Sequence, residues 1–300
     1  MSTGFLKKSA PTKQIKRRSV MREAMERLVR NKTAMAGLFI LIVIAILCAL
    51  AGVICPEGYD LQQLDQRFVA PFSQSGLSFL FGTDDFGRSM LARMLYGGRI
   101  TLLVAMVSTF ITTVFGTFLG AVSGFFGGKV DSVIMRILDV IAAIPTLLTA
   151  MVISAVLGSG LLNTMIAVSI PNIPGYARMI RGPVLTVKNL EYIEAARSID
   201  AKNPRIIFKH VLPNILSPVI IKTTQGLATA LLSTATLSFL GLGVQPPIPE
   251  WGALISSGRE FILTYPYLVT IPGCFIALTV FSFNLMGDAL RDAFDPRLKN

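Results

Sequence analysis

Residues 100–128 read ITLLVAMVSTFITTVFGTFLGAVSGFFGG and contain no Asp, Glu, Lys or Arg. Because a bilayer core about 30 Å thick is crossed by roughly 20 apolar helical residues, this stretch predicts a membrane-spanning helix. Uncharged runs also cover residues 33–55, 140–177, 223–249 and 261–287. The run 140–177 is too long for one helix, and Gly158-Ser159-Gly160 near its middle predicts a turn between two spans. We therefore predict an all-α integral membrane protein with six transmembrane helices rather than a large soluble α protein with buried helices.

The basic residues are distributed unevenly between the two sides that these six spans define. If the N-terminus lies inside, 23 of the 28 Lys and Arg residues are cytoplasmic, and those outside are Arg67, Arg88, Arg93, Arg99 and Arg259. This bias follows the positive-inside rule, so an N-in/C-in topology is predicted. The net charge of +11 is then explained by contact with anionic membrane lipid, and nucleic acid is not predicted as a partner.

The predicted spans divide the chain into segments. These are a basic cytoplasmic tail (1–32), a first transmembrane helix (33–55), an extracytoplasmic segment (56–99), a five-helix core (100–288) and a cytoplasmic C-terminal tail (289–300). The core includes a charged cytoplasmic loop at 178–213.

The second span carries glycines at a spacing of four, namely Gly116, Gly120, Gly124 and Gly128. On a helix this spacing forms one stripe of small residues, which allows another backbone to approach closely. The pattern predicts helix packing rather than transport chemistry.

Motifs for chemistry are missing from the sequence. It has no His-Glu-x-x-His, Gly-x-Ser-x-Gly or P-loop pattern, so no catalytic residue and no cofactor is predicted. Three cysteines without close spacing and a lone histidine, His210, predict no metal site. Ionisable residues are also absent from the middle of the spans, whereas ion-driven carriers usually place carboxylates there. A transport path without such ionisable residues is expected to take its energy from a source other than an ion gradient.

The loop 178–213 predicts two short amphipathic helices. Asn189 is placed to cap a helix at 190–199, and Asn203-Pro204 opens a second that ends near Pro213. Such helices either lie on lipid headgroups or dock a partner, and the residues by themselves favour neither.

Within this loop, Glu194-Ala195-Ala196 followed by His210-Val211-Leu212-Pro213 resembles the EAA loop of ABC importer permeases. The resemblance implies a type I ABC importer permease fold in which this loop is a coupling helix seated on an ATPase subunit. That family usually has Gly six residues after the Glu, where this chain has Asp200. Asp tolerates left-handed backbone conformations, so the turn is expected to be retained.

Three further blocks resemble the dipeptide, oligopeptide and nickel permeases, and specifically the "C" member of the permease pair. They begin at Phe81-Gly82-Thr83-Asp84, at Leu237-Ser238-Phe239-Leu240 and at Phe283-Asn284-Leu285-Met286. In the first block Ser89 stands where the family usually has Asp. Singly, each block has a plainer interpretation, such as Trp251 being a membrane-interface anchor.

This resemblance implies a non-catalytic subunit of a bacterial or archaeal cell membrane importer. Its implied partners are a homologous permease in a heterodimer, two ATP-binding subunits and an extracytoplasmic substrate-binding protein. The ATPase contact would include Glu194, Ala195, Ala196 and Asp200, supported by Arg197 and His210. Di- or oligopeptides are the first choice of substrate; nickel, a metal chelate or glutathione is the alternative. A secondary transporter or channel, and a membrane enzyme, are the rival classes.

Overall fold

The computed structural model describes residues 20–74 and 76–294, and for residues 20–24 the backbone alone. The rest of the predicted basic tail and the last six residues of the C-terminal tail lie outside these ranges. Within them the regular secondary structure is helical, apart from one isolated β-bridge between Thr83 and Ser89, and turns and loops connect the helices.

Fourteen α-helices follow one another along the described chain. They are α1 (Val20–Arg30), α2 (Lys32–Ala49), α3 (Ala51–Ile54), α4 (Met90–Phe126), α5 (Gly128–Ala142), α6 (Thr146–Leu157), α7 (Leu161–Ser169), α8 (Ile173–Val187), α9 (Glu191–Ser198), α10 (Asn203–Ile206), α11 (Leu212–Asn214), α12 (Leu216–Phe239), α13 (Trp251–Gly258) and α14 (Tyr267–Phe294). Short 3-10 turns lie at Leu64–Gln66, Leu77–Phe79, Ile170–Asn172 and Arg259–Phe261, and a π-helical turn at Ile207–Val211 joins α10 to α11.

Three of these helices, α2, α4 and α14, are long and apolar enough to cross a membrane. Two bent pairs also qualify when each is taken as one span: α5 with α6, which meet at 84°, and residues 203–214 with α12, which meet at 67°. The described chain therefore offers three to five spans by length and composition. The predicted span that none of these helices accounts for is the fourth, after the turn at residues 158–160, and it falls on α7 and α8, which are separate helices around Pro171 and Pro174. The number of six transmembrane helices therefore remains a prediction.

The predicted turn at residues 158–160 is confirmed. Gly158 ends α6 with φ 82°, and Gly160 precedes α7 with φ 148°. Residues other than Gly rarely adopt such angles, so these two glycines allow the chain to reverse between α6 and α7.

Helix α4 is the centre of the fold, and it begins ten residues before the uncharged run. It contacts α2, α7, α8 and α12. The buried cluster at its start joins Met94 to Leu231 and Leu237 of α12 and to Trp251 and Leu254 of α13.

The interpretation of Trp251 as an interface anchor is wrong. The side chain is 0% exposed, and its indole Nε1 donates to the carbonyl oxygen of Met94 at 2.9 Å. Its backbone N–H donates to the hydroxyl of Thr101 at 3.2 Å. The preceding Glu250 caps α13 by accepting from Ala253 N–H, which turns the chain so that the indole points into the bundle.

We expect Trp251→Phe to lower the free energy of unfolding by about 1 kcal/mol, because it removes one buried hydrogen bond and keeps most of the apolar contact. The measurement is the calorimetric unfolding temperature of the purified permease in detergent. Phe281→Leu, on the exposed side of α14, is the control and should leave that temperature unchanged. If both substitutions change the unfolding temperature equally, the buried, hydrogen-bonded position of Trp251 is contradicted.

Candidate functional site: the surface of helix α9

Helix α9 carries the predicted coupling residues, and it begins at Glu191. The prediction that Asn189 caps it is wrong: Leu190 occupies the cap position without a side-chain hydrogen bond. The Asn189 amide instead donates to the carbonyl oxygen of Leu185 at 3.2 Å, one turn back at the end of α8. Asn189 therefore finishes the preceding helix, a local competition that the sequence pattern did not reveal.

Helix α9 ends in a Schellman motif with Asp200 in the left-handed position. Asp200 has φ 57°, its N–H donates to Arg197 O at 2.9 Å, and the N–H of Ala201 donates to Ala196 O at 3.1 Å. These two bonds satisfy carbonyls at the end of the helix. The turn that Gly usually makes in the resembling family is thus formed here by Asp, as expected.

The two sides of α9 have different environments. Ile193 and Ala196 are buried against Val184 of α8 and against Ile206 and Val211 of the second helical segment, which runs through α10, the π-helical turn and α11 (Asn203–Asn214). Glu194, Ala195 and Arg197 are exposed. One side of the helix is therefore packed on the permease, and the other is open to a partner.

A groove of about 690 Å³ lies between the end of α9 and the second helical segment. It contains four of the six predicted coupling residues: Ala195, Ala196, Asp200 and His210. Glu194 lies on α9 but does not line the groove. The guanidinium of Arg197 lies elsewhere, 5.5 Å from the ring centroid of Phe125 in α4, where it connects α9 to the long central helix.

The groove also contains residues that sequence reasoning missed. Tyr192 and Ile199 are seven residues apart, about two helical turns, and lie on the same side of the helix as Ala195. The side chain of Ile199 is 81% exposed. The spacing of Tyr192, Ala195 and Ile199, at three and seven residues, was the sequence signal that could have placed them on one side of the helix. Lys202, Arg205 and Lys209 add basic groups, so the groove combines an apolar strip with a basic border.

An ionic cluster fixes α8 beside α4 and α5. The guanidinium of Arg181 donates from Nε to Asp131 Oδ1 at 2.7 Å, and the same carboxylate accepts from the hydroxyl of Ser123. The ammonium of Lys188 donates to the carbonyl oxygen of Gly124 at 2.8 Å. The helix that leads into α9 is therefore held by polar bonds along its C-terminal half.

The predicted glycine stripe divides into two parts. A Cβ added at Gly116 would lie 2.7 Å from Tyr176, one at Gly124 would lie 2.9 Å from Val184, and one at Gly120 would overlap the carbonyl oxygen of Ala177. These three glycines face α8. Gly128 is instead the first residue of α5, and an added Cβ would meet nothing within 4 Å, so the structure does not place it in this contact.

On the predicted extracytoplasmic side, the carboxylate of Asp84 organises the segment before α4. It accepts from Arg88 Nε at 2.8 Å and from Arg93 Nη1 at 2.7 Å, and all three residues are buried. Because Arg93 is neutralised in this way, a basic residue is accommodated in the first turn of a membrane-spanning helix. Burial raises the pKa of the neighbouring Asp85 carboxyl, and the nearby Asp84 raises it further.

Two protein-family models match this chain. The family described as "binding-protein-dependent transport system inner membrane component" matches residues 116–300, and the "N-terminal TM domain of oligopeptide transport permease C" matches residues 19–71. A solved structure of the MetNI methionine ABC transporter, in an inward-facing conformation, has a TM-score of 0.53 at 21% identity. That likeness covers 66% of this chain and 94% of the other, and it supports the fold.

Curated relatives cover almost the whole chain. A dipeptide transport system permease from Alkalihalophilus pseudofirmus is 41% identical over 94% of this chain and 91% of its own length. A glutathione transport system permease from Pectobacterium atrosepticum is 39% identical, with 94% and 93% covered. An oligopeptide transport system permease from Bacillus subtilis is 37% identical, with 94% and 91% covered.

Proposed function

Because the chain belongs to the family of binding-protein-dependent transport system inner membrane components, we propose that it forms one half of the translocation pathway of an ATP-driven peptide importer. The observation that carries this proposal is the coupling surface: a short helix packed on one side and open on the other, beside a groove with a basic border. Its relatives transport dipeptides and oligopeptides, which supports the same substrate class here.

The proposed assembly contains a homologous permease in a heterodimer, two ATP-binding subunits and an extracytoplasmic substrate-binding protein. The chain itself is a non-catalytic subunit with six spans and both termini in the cytoplasm. The family description as a binding-protein-dependent, inner membrane component supports this assembly and location. The excess of Lys and Arg on one side of the predicted spans supports the orientation.

The proposed coupling runs from the ATPase to α9 and then into the membrane. Glu194, Ala195 and Asp200 would contact the ATPase, with His210 at the border of the groove. Movement of α9 would be transmitted to α8 because Ile193 and Ala196 are packed against it. Arg197 on Phe125, together with the Arg181–Asp131 pair, would carry the movement on to α4 and α5 as one rigid body.

Reconstitution tests the proposed function. The chain is purified with its permease partner, its ATP-binding subunits and its binding protein, and the complex is placed in liposomes. We expect uptake of labelled dialanine that requires ATP and the binding protein and that is insensitive to an ionophore. If uptake instead proceeds without ATP and is abolished by an ionophore, the chain is a secondary transporter. If the chain purifies without any ATP-binding subunit, the coupling proposal is contradicted.

Glutathione is the second candidate substrate, because glutathione permeases are among the relatives with comparable identity. Glutathione is a tripeptide whose first peptide bond is made by the γ-carboxyl of its glutamate, so it differs from dialanine in length, in backbone linkage and in side chains. The same liposomes, loaded with the same ATP concentration, distinguish them by the ratio of dialanine to glutathione uptake.

A further inference from the structure

A second cavity lies inside the helical bundle, away from the coupling groove. It has a volume of about 250 Å³, is bordered by α4, the corner between α5 and α6, α8 and α12, and is open on the side of the exposed Arg178. Its lining contains two basic side chains, Lys222 and Arg178, and no Asp or Glu. A cavity with this composition is matched to an anionic group.

The two basic side chains differ in how they are held. Arg178 Nη2 donates to the carboxylate of Asp139 at 2.7 Å, which holds its guanidinium at the cavity wall. Lys222 lies in the second turn of α12, is half-buried, and has no hydrogen bond or ion pair within the part of the chain that the structure describes. A Lys ammonium has three donors, and here all three are available to a ligand.

The wall of the cavity also contains a buried hydroxyl without a partner. Five Thr side chains of α12 donate to the carbonyl oxygen four residues earlier, as Thr223 and Thr234 do. Thr109 is 4% exposed, and its hydroxyl makes no hydrogen bond. An unmade bond at a buried hydroxyl has a cost, but this oxygen is closed off from the cavity, so a ligand would take its hydrogen bonds from Lys222 and Arg178.

We propose that Lys222, with Arg178 beside it, forms a subsite that binds the carboxylate of a peptide on its way through the membrane. This inference rests on the proposed function and names the chemical group that the pathway recognises. A carboxylate supplies two acceptor oxygens, enough for the ammonium of Lys222 and a guanidinium donor of Arg178. At about 250 Å³ the cavity is slightly below the common range for small-ligand sites, which is enough room for the carboxyl end of a peptide.

An anionic lipid headgroup has similar chemistry and is the competing source of the anion. The two sources are separated by vesicle composition. If Lys222 holds a headgroup, its substitution matters in vesicles that contain phosphatidylglycerol and has no effect in vesicles of phosphatidylcholine alone. If Lys222 binds the peptide, the effect of the substitution is the same in both.

The test uses the complete transport complex in both kinds of liposome, with dialanine as the probe. We expect Lys222→Gln to lower dialanine uptake roughly tenfold, the effect of losing one charge-assisted hydrogen bond. ATP hydrolysis stimulated by the loaded binding protein should stay within about twofold, because the coupling groove is untouched. Lys222→Arg should retain most of the uptake, and Lys129→Gln, which makes the same charge change on the exposed part of α5, should retain all of it.

A second comparison tests the carboxylate itself. Uptake of dialanine and of dialanine amide is measured for the wild type and for Lys222→Gln. Since the same binding protein delivers both peptides to both permeases, its own preference cancels when the two ratios are compared. We expect the ratio of acid to amide uptake to fall in the variant, and an equal loss for both peptides would overturn the assignment.

The outcomes separate this inference from the proposed function. If the wild type shows no ATP-dependent dialanine uptake, the proposed function fails. If the wild type transports and Lys222→Gln transports equally well, the carboxylate subsite alone is overturned. Loss of both uptake and ATP hydrolysis in Lys222→Gln and in Lys222→Arg would show a structural role and would also overturn it.

Discussion

Replacing Ala195 by Trp should abolish peptide uptake while the permease still inserts and pairs normally. Ala195 is exposed on α9 and lines the coupling groove, so an indole there would occupy the space that an ATPase side chain needs. Central contacts of this kind carry about 2–4 kcal/mol, and a loss of about 3 kcal/mol weakens association more than a hundredfold. The measurements are ATP-dependent dialanine uptake and the amount of ATP-binding subunit that copurifies.

The neighbouring residue supplies a matched contrast. Ala196 is 7% exposed and packs inside the permease beside Ile193, so Ala196→Trp should lower the unfolding temperature of the chain itself. Ala195→Trp should not, because that side chain points outward. Ala195→Ser is the conservative control and should transport normally. Full uptake by Ala195→Trp with normal copurification would remove Ala195 from the ATPase contact.

Replacing Gly120 by Leu should prevent α4 and α8 from packing and leave little assembled complex. Even a Cβ at this position would overlap the carbonyl oxygen of Ala177 and would lie 3.0 Å from Ile180 Cβ. Backbone cannot rotate away as a side chain can, so the two helices must separate. Overpacking by a methyl group costs about 1–3 kcal/mol, and the branched Leu side chain adds to this.

The matched pair for this prediction is Gly120→Ala against Gly182→Ala. Both exchange a helical Gly for a better helix former, but an added Cβ at Gly182 meets nothing within 4 Å. Gly182→Ala should therefore keep or raise the unfolding temperature of the detergent-purified complex, and Gly120→Ala should lower it. If the two variants unfold at the same temperature, the stripe does not hold the helices together.

The helical class and the main breaks of the fold were predictable from the sequence because they depend on local composition. Charge-free runs predicted helices, and Gly158 and Gly160 predicted a turn, without reference to any other part of the chain. Asp200 was also predictable, since its tolerance of a positive φ is a property of the residue itself.

Features that depend on a distant partner were not predictable in this way. The burial of Trp251 requires the carbonyl oxygen of Met94, far away in sequence, and no periodicity encodes that pairing. The early start of α4 requires Asp84 to neutralise Arg93, so the charge that seemed to end the span is accommodated within the helix. Gly128 has the spacing of the stripe, yet the chain bends before it at Gly127, which has φ 65°.

The candidate site also combines features that the local sequence predicts with features that depend on distant packing. The positions of Ala195 and Ala196 on one helix followed from the motif, but their opposite exposure depends on where α8 and the second helical segment pack. Tyr192 and Ile199 lie on the same exposed strip and were overlooked because no family motif marks them. The basic border of Lys202, Arg205 and Lys209 has meaning only once the groove is folded.

The length of α4 has a mechanical consequence. Its 37 residues span about 55 Å at 1.5 Å per residue, and its C-terminal half is fastened to α8 by three glycines and by Lys188. If α9 moves as proposed, a tilt of about 10° around the C-terminal end of α4 would displace its N-terminal end by about 10 Å. The Asp84 cluster, which lies at that N-terminal end, would then move the farthest.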